Sequence, residues 1–194
     1  MKSSSQARSL AFAITSKIIA ALAIITAASA VFAHVVLEDQ TALAGHSYKA
    51  VLKVGHGCEG SPTTAMRVTI PAGFMGAKPM PKAGWKLDIK TAKLAVPYDS
   101  YGKQVTEDVS EITWTATSKD SYLPEAYYDE FILRGGLPSK VASVTVMWFK
   151  VLQTCEKGVN DWSQIPAAGV DAHSLKSPAA LLEIIPSGTA GHQH

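Results

Sequence analysis

The stretch Val144–Leu152, VTVMWFKVL, decides the fold class. It is almost continuously apolar and β-branched, which is typical of a strand buried at the centre of a sheet. Shorter runs on both sides alternate apolar and polar residues between Gly and Pro, as in His46–Val54, Thr64–Ile70 and Leu181–Ile185. No long helical period interrupts these runs. The sequence therefore predicts an all-β domain built as a two-sheet antiparallel sandwich.

Several aromatic residues fall on the alternating strand pattern and predict the core. Trp85, Trp114 and Phe131 each lie in a run of period two, and Trp148 lies inside the apolar central stretch. Phe74–Ala83, in contrast, is rich in Gly, Pro and Lys and is predicted to be irregular.

Residues 1–33 are predicted to be a cleaved signal peptide. A basic start precedes the apolar run Ile18–Ile25, and small residues continue to Ala33, which suits the cleavage site. The run is shorter than the roughly 20 residues of a membrane helix, although an uncleaved anchor is the alternative. Export would place the chain in the periplasm or outside the cell. No second apolar run of spanning length follows, so the mature chain is predicted to have no membrane span.

Cleavage after Ala33 changes the charge of the chain. Lys2, Arg8 and Lys17 are removed from 18 basic residues while all 16 acidic residues remain, so the formal charge falls from +2 to −1. A domain of that charge gives no reason to expect a nucleic-acid partner. The remaining 161 residues suit one domain, predicted as 34–186, followed by a disordered His-containing tail at 187–194.

The two cysteines, Cys58 and Cys155, both follow the signal peptide. An exported chain with two cysteines usually pairs them, and neither belongs to a CxxC motif. We therefore favour a disulfide that closes a loop of 97 residues over a thiol pair that binds a soft metal.

Cleavage would make His34 the first residue, and this creates metal chemistry. A free α-amine has a pKa of about 7.7–8.0, so a metal can displace its proton near neutral pH. The amine and the imidazole Nδ1 of one residue can then chelate a single ion. Nitrogen donors in a planar set favour Cu(II), the strongest binder in the divalent series. The alternative is an N-terminal histidine that arises by chance.

Further ligands are sought in the glycine-rich stretch Gly55–Thr64. It holds His56 and Glu59 around Cys58, where a rigid loop could present an imidazole or a carboxylate. The alternative is a disulfide-pinned turn with two solvated side chains. Elsewhere, Glu125 is a candidate for an additional metal contact, with a solvated loop residue as the alternative. His192 and His194 could form a weak auxiliary metal site, and a disordered tail without a role is the alternative.

Five ordered motifs resemble the YcnI-like family. They are the Ala-His-Val start at His34, HGCEGSPTT at His56–Thr64, KPMPKAGWKL at Lys78–Leu87, LPEAYYDEF at Leu123–Phe131 and LQTCEKGVNDW at Leu152–Trp162. The resemblance covers nearly the whole mature chain and implies an immunoglobulin-like sandwich that binds copper outside the cytoplasm. Many members end in a membrane helix, whereas this chain ends in Gly-His-Gln-His, which favours a free periplasmic protein.

The resemblance also implies a ligand set for Cu(II), described in the family as a single-histidine brace. His34 matches the residue that supplies the amine and Nδ1, Glu59 matches the carboxylate, and Trp162 matches the tryptophan that covers the metal. An ordinary core aromatic is the alternative for Trp162. Because Cys155 lies seven residues before Trp162, its bridge to Cys58 would bring Trp162 close to the Glu59 loop.

The predicted function is that of a Cu(II) chaperone, buffer or delivery protein rather than an enzyme, with another exported or membrane-bound copper-handling protein as its partner. One alternative is a copper-dependent oxidative enzyme, which needs a second histidine, and His56 is the only nearby candidate. A structural or adhesive sandwich without metal is the other. The sequence has no nucleophile triad motif, phosphate loop or nucleotide fingerprint.

Overall fold

The computed structural model describes residues 34–187, with His173 by its backbone alone. Within this range the chain forms strands joined by turns and two 3₁₀ segments, Lys119–Ser121 and Ala172–Ser174. The strands, in chain order, are β1 Val36–Leu37, β2 Thr41–Leu43, β3 Ser47–Val54, β4 Thr63–Thr69, β5 Met75–Pro79, β6 Trp85–Ser100, β7 Lys103–Ala116, β8 Asp129–Gly136, β9 Thr145–Cys155, β10 Val159–Trp162 and β11 Ala180–Ile185.

The strands form two sheets whose inner sides share one core. The smaller sheet has the order β1-β3-β8-β5, and the larger has the order β2-β11-β9-β4-β7-β6 with β10 added on β9. All pairings are antiparallel except that of β2 with β11. The predicted all-β sandwich is therefore confirmed, and the central stretch is confirmed as the strand around which the larger sheet is built.

Aromatic side chains from both sheets meet in the core. Phe131 of the smaller sheet packs edge-on against Trp85 and Trp114 of the larger, with ring centroids 5.1 and 5.7 Å apart. Trp114 is fully buried, and its indole N–H donates to the Met80 carbonyl oxygen at 3.1 Å. A buried indole usually needs such a partner. The core positions of Trp85, Trp114 and Phe131 are thus confirmed.

Two expectations about burial and regularity are wrong. Trp148 is half-buried on the outer side of β9, because Met147 and Phe149 take the inward positions of the alternation. The segment Phe74–Ala83 contains β5, which pairs with β8 through an irregular register that places Lys78 beside Arg134. Its Gly and Pro residues are accommodated because β5 lies at the edge of its sheet, where a strand tolerates Pro.

The β6–β7 hairpin is much longer than the alternation predicts. Pairing extends from Trp85 with Ala116 out to Ser100 with Lys103, with two irregularities on the way. Most residues of its outer half are solvent-exposed, so no burial pattern marks them as strand in the sequence. At its tip Tyr101 adopts φ 52° with a fully exposed side chain.

One edge of β9 is shared by two strands, and this arrangement builds the site. The first half of that edge pairs with β11 and the second half pairs with β10. The chain reverses between β9 and β10 at Gly158, whose φ of 84° is left-handed and favours glycine. The reversal places Trp162 directly beside Val151.

Candidate metal centre

Two imidazole rings converge on one indole. The ring of Trp162 lies 5.6 Å from that of His34, at an interplanar angle of 65°, and 6.4 Å from that of His56, at 78°. Trp162 is only 4% exposed and also belongs to the core. The structure therefore brings together three of the residues that the sequence singled out, and we call them the indole cluster: His34, His56 and Trp162.

A buried glutamine holds two parts of the indole cluster in place. Gln153 is completely buried, and its Oε1 accepts hydrogen bonds from Trp162 Nε1 at 3.1 Å and Asn160 Nδ2 at 3.3 Å. Its Nε2 donates to the backbone carbonyl oxygen of His56 at 2.7 Å and to Thr63 Oγ1 at 2.8 Å. Both ends of the amide are satisfied, which a polar group needs at this depth.

Sequence reasoning missed Gln153, although a signal was present. In β9 the inward positions Val151, Gln153 and Cys155 alternate with the outward ones, so the glutamine is a polar residue on the core side. A buried polar residue is informative because it must find partners. Asn160 was also missed, and nothing in the sequence around it distinguishes it from a turn residue.

The tautomer of His56 is fixed by its own loop. Its Nδ1 lies 2.5 Å from the backbone carbonyl oxygen of Gly57, an atom that can only accept, so Nδ1 carries the proton. In the neutral form of this ring, Nε2 carries the lone pair. Histidines that bind metals through one ring nitrogen commonly donate the other N–H to a carbonyl in this way.

Gly57 is required because the loop is tightly folded around it. A Cβ at this position would stand 1.9 Å from the carbonyl oxygen of Ser61 and 2.7 Å from Glu125 Oε2. The Gly57 N–H donates to that carboxylate oxygen at 2.7 Å, and its carbonyl oxygen also accepts from Asn160 Nδ2 at 3.3 Å. The loop backbone therefore has partners on three sides.

The predicted disulfide between Cys58 and Cys155 is confirmed, with the two Cα atoms 5.9 Å apart. Cys58 opens a tight turn in which it exchanges both backbone hydrogen bonds with Ser61, each at 3.0 Å. The bridge ties this turn to the end of β9, immediately before the reversal that leads to Trp162. It thereby fixes the loop of His56 beside the strand that carries the indole.

The two candidate carboxylates occupy different places. Glu59 is exposed at the tip of the turn with φ 51°, and it lines a shallow groove with Glu156 and Lys157. Within the described residues no hydrogen bond or ion pair involves its side chain. Glu125 instead reaches the His56 loop through its hydrogen bond to Gly57. The assignment of Glu59 as a ligand stays a prediction, and Glu125 is the carboxylate that contacts the loop.

Side chains alone form no complete metal site in the part of the chain described here. Among residues 34–187, no three side chains of His, Cys, Asp or Glu converge closely enough to hold an ion. The α-amine that cleavage would create on His34 is a donor that is not a side chain. The predicted signal peptide and the tail histidines His192 and His194 lie outside the described residues.

Comparison with known proteins places the domain in a family. A family model described as a domain of unknown function, DUF1775, matches residues 34–184. The chain belongs to the DUF1775 family. YcnI-like domains are DUF1775 domains, so the resemblance noted in the sequence is confirmed at the level of the family. No curated protein matches the chain.

The DUF1775 domain also resembles a solved structure. It is an uncharacterized protein from Nocardia farcinica with an immunoglobulin-like fold, 25% identical, with a TM-score of 0.58 over 78% of this chain and 98% of that one. The immunoglobulin-like sandwich is thereby confirmed for this DUF1775 domain. In residues 34–187 no helix is long and apolar enough to cross a membrane.

Proposed function

We propose that this DUF1775 domain is an exported carrier of Cu(II), acting as a chaperone, buffer or delivery factor in copper homeostasis. The observation that carries the proposal is the convergence of the His34 and His56 rings on the buried indole of Trp162. The proposal requires export and cleavage after Ala33, which give His34 a free amine.

The donor chemistry of these residues fits Cu(II). The amine and the ring nitrogen of His34 provide two nitrogen donors from one residue, and Nε2 of His56 is a third nitrogen with an available lone pair. A carboxylate from Glu125 or Glu59 would add negative charge. Nitrogen and oxygen donors of this kind favour Cu(II) over softer ions.

The indole contributes protection rather than a ligand bond. Trp162 is buried, and its face can lie against a cation while excluding water from one side. Its orientation is set by the hydrogen bond to Gln153. A site shielded in this way suits an ion that is carried and handed on, because a closed side restricts access of other reactants.

Calorimetric titration with Cu(II) tests the proposal on protein whose first residue is shown by mass spectrometry to be His34. The matched control carries one extra alanine before His34, which keeps every side chain but removes the α-amine from the chelate. We expect the extension to weaken binding at least about 10-fold, because one of the donors is lost. Equal affinities would overturn the single-histidine brace.

Tryptophan fluorescence locates the ion independently of calorimetry. Cu(II) bound at the indole cluster should quench Trp162, and Trp162→Phe should remove most of that quenching while Trp148→Phe should not. The second candidate function, a copper oxidase with two histidines, is suggested only by the proximity of His56 to the same ring. In an oxygen-consumption assay with copper and ascorbate, sustained turnover of a defined substrate beyond that given by free copper would support that function, and no such turnover supports a carrier.

A further inference from the structure

Three basic residues stand side by side on the outer face of the smaller sheet. Arg134 of β8 is the cross-strand neighbour of Lys49 on β3 and of Lys78 on β5. Residues directly opposite each other in a sheet project to the same side. All three side chains are exposed. We call this set the basic row: Lys49, Arg134 and Lys78.

The basic row is positively charged, whereas the domain that contains it has a slightly negative formal charge. Like charges placed directly opposite on neighbouring strands repel each other. The other lysine on these strands, Lys53, is paired with Glu38 at 2.7 Å. Within residues 34–187 no ion pair includes a member of the row. Because residues 34–194 carry a formal charge of −1, the row is a local concentration of positive charge on a slightly acidic protein.

The row leads into a groove between the smaller sheet and the long hairpin. The groove has a volume of about 630 Å³, and its walls include Lys78, Arg134 and His46 on one side and Tyr98 and Tyr101 on the other. The head of Arg134 is oriented by a hydrogen bond to Ser47 Oγ at 2.7 Å, a neutral partner that leaves its charge uncompensated.

The carboxylates near the groove accept hydrogen bonds from neutral groups and keep their negative charge. Asp108 accepts from Tyr98 Oη and from the Gly76 N–H, both at 2.7 Å. Asp99, which lines the groove, accepts from the Gly102 N–H at 3.1 Å. The groove wall therefore carries both signs of charge together with aromatic surface, and the excess of positive charge lies on the basic row itself. Tyr and Arg are the residue types enriched at protein interfaces, and Tyr101 is fully exposed.

We propose that the basic row and this groove form a docking surface for an acidic segment of a partner protein. The three side chains span two strand spacings, roughly 10 Å, which exceeds a single carboxylate and fits successive acidic residues of one peptide. The segment would place carboxylates on Lys49, Arg134 and Lys78 and pack beside Tyr101. The surface shares no residue with the indole cluster, so the proposal stands independently of copper.

Fluorescence anisotropy with a labelled peptide of alternating Glu and Gly tests this docking surface on the chain from His34 to His194. We expect the peptide to bind, and the same peptide with Gln in place of Glu to bind at least about 10-fold more weakly. Binding should weaken further as salt rises to about 0.15 M, since the contacts are exposed. Equal binding of the two peptides would overturn the proposal.

The double variant Lys78→Gln and Arg134→Gln should weaken peptide binding at least about 10-fold. Lys150→Gln, an exposed lysine on the outer face of the other sheet, is the matched control and should change binding less than about twofold. Lys78→Gln should not lower the melting temperature, because it removes a like-charged neighbour of Arg134. Retained binding in the double variant contradicts the proposal.

Anionic phospholipid vesicles and inorganic phosphate serve as competing probes. We expect neither to displace the peptide at the concentrations where unlabelled Glu-Gly peptide does. Binding to vesicles without binding to the peptide would assign the surface to a membrane and overturn the docking of an acidic segment.

Discussion

The side-chain amide of Gln153 donates a hydrogen bond to the backbone carbonyl oxygen of His56 at 2.7 Å. These residues are 97 positions apart in the chain. The other end of the same amide accepts from the indole of Trp162. One buried group therefore sets the position of the loop that carries an imidazole and of the ring against which that imidazole packs.

Replacement of Gln153 by leucine should destabilise the protein and loosen the indole cluster. The change leaves buried donors and acceptors of Trp162 and His56 without partners, at about 1–3 kcal/mol for each group. We expect a loss on the order of 3 kcal/mol in chemical denaturation, and weaker quenching of Trp162 by Cu(II). Gln104→Leu, at an exposed position on β7, should lose less than about 0.5 kcal/mol.

If Gln153 had a structural role alone, its replacement would lower the free energy of unfolding and leave the quenching of Trp162 by Cu(II) unchanged. The variant Gln153→Glu separates the two, because a buried carboxyl, which favours its neutral form, keeps an acceptor for the Trp162 indole and has one O–H donor in place of the two of the amide. Cu(II) should quench Trp162 fluorescence more strongly in Gln153→Glu than in Gln153→Leu, because the glutamate still holds the indole in its orientation. Identical copper titrations in both variants and the parent would argue against a positioning role.

The identity of the carboxylate is decided by Glu125→Gln and Glu59→Gln measured side by side. Family resemblance favours Glu59, whereas the contact with the Gly57 N–H favours Glu125. We expect Glu125→Gln to lower Cu(II) affinity about 10-fold, as loss of a supporting charge at a metal site does. Glu59→Gln, exposed at the turn tip, should change it less than about threefold. The reverse order would restore Glu59 as the ligand.

Gly57→Ala should distort the His56 loop through a steric clash. Its Cβ would stand 1.9 Å from the Ser61 carbonyl oxygen, a backbone atom that cannot move without breaking the turn. We expect a loss of roughly 3 kcal/mol in thermal or chemical denaturation. Gly60→Ala is the control, because nothing lies within 4 Å of its Cβ and only its φ of +86° is strained, at about 1 kcal/mol. Equal losses would show that crowding is not the cause.

Removal of the disulfide should lower stability and free the loop. The bridge closes a separation of 97 residues, for which the chain-entropy model gives up to about 4.7 kcal/mol. The double variant Cys58→Ala and Cys155→Ala should lose about 2–5 kcal/mol in urea denaturation. A reducing agent should shift the parent protein toward the variant and leave the variant itself unchanged, which serves as the control.

Three tyrosines should ionise late in an alkaline titration followed by phenolate absorbance. Burial and a hydrogen bond to Asp108 raise the pKa of Tyr98 to about 12, and burial with Glu130 raises the pKa of Tyr128 to about 12. Burial, with the nearby charge of Asp39, raises the pKa of Tyr48 further. Because the folded state holds these protons more tightly, their contribution to stability is complete below about pH 10 and declines as pH rises toward 12.

The titration has an internal reference in the unfolded chain. In urea all six tyrosines should ionise together near pH 10. Tyr98→Phe should remove one late ionisation, whereas Tyr101→Phe, at a fully exposed residue, should not. A single ionisation step in the folded protein would contradict the expected protection.

The alternation of apolar and polar residues was enough to predict the sandwich, because burial on one face of a strand leaves a period of two. The pairing of Cys58 with Cys155 followed from their number and from the expectation that the chain is exported. His34 and His56 were singled out by their chemistry, and Trp162 was singled out by the resemblance to the YcnI-like family. The edge strand β5 escaped prediction, and so did the outer part of the β6–β7 hairpin, because strands with little burial leave no periodic signal.

Although it misplaced Trp148 and missed Gln153, the sequence by itself indicated most of the buried residues and the residue types that could bind a metal, because both are properties of local pattern and residue type. Only the tertiary structure decided which of them meet. The contacts of Gln153 with His56 and of Glu125 with Gly57 depend on strand register and on one turn, as does the cross-strand pairing of Arg134 with Lys49 and Lys78. A shift of one residue in register would exchange the faces of a strand, so these contacts exist only in the folded chain.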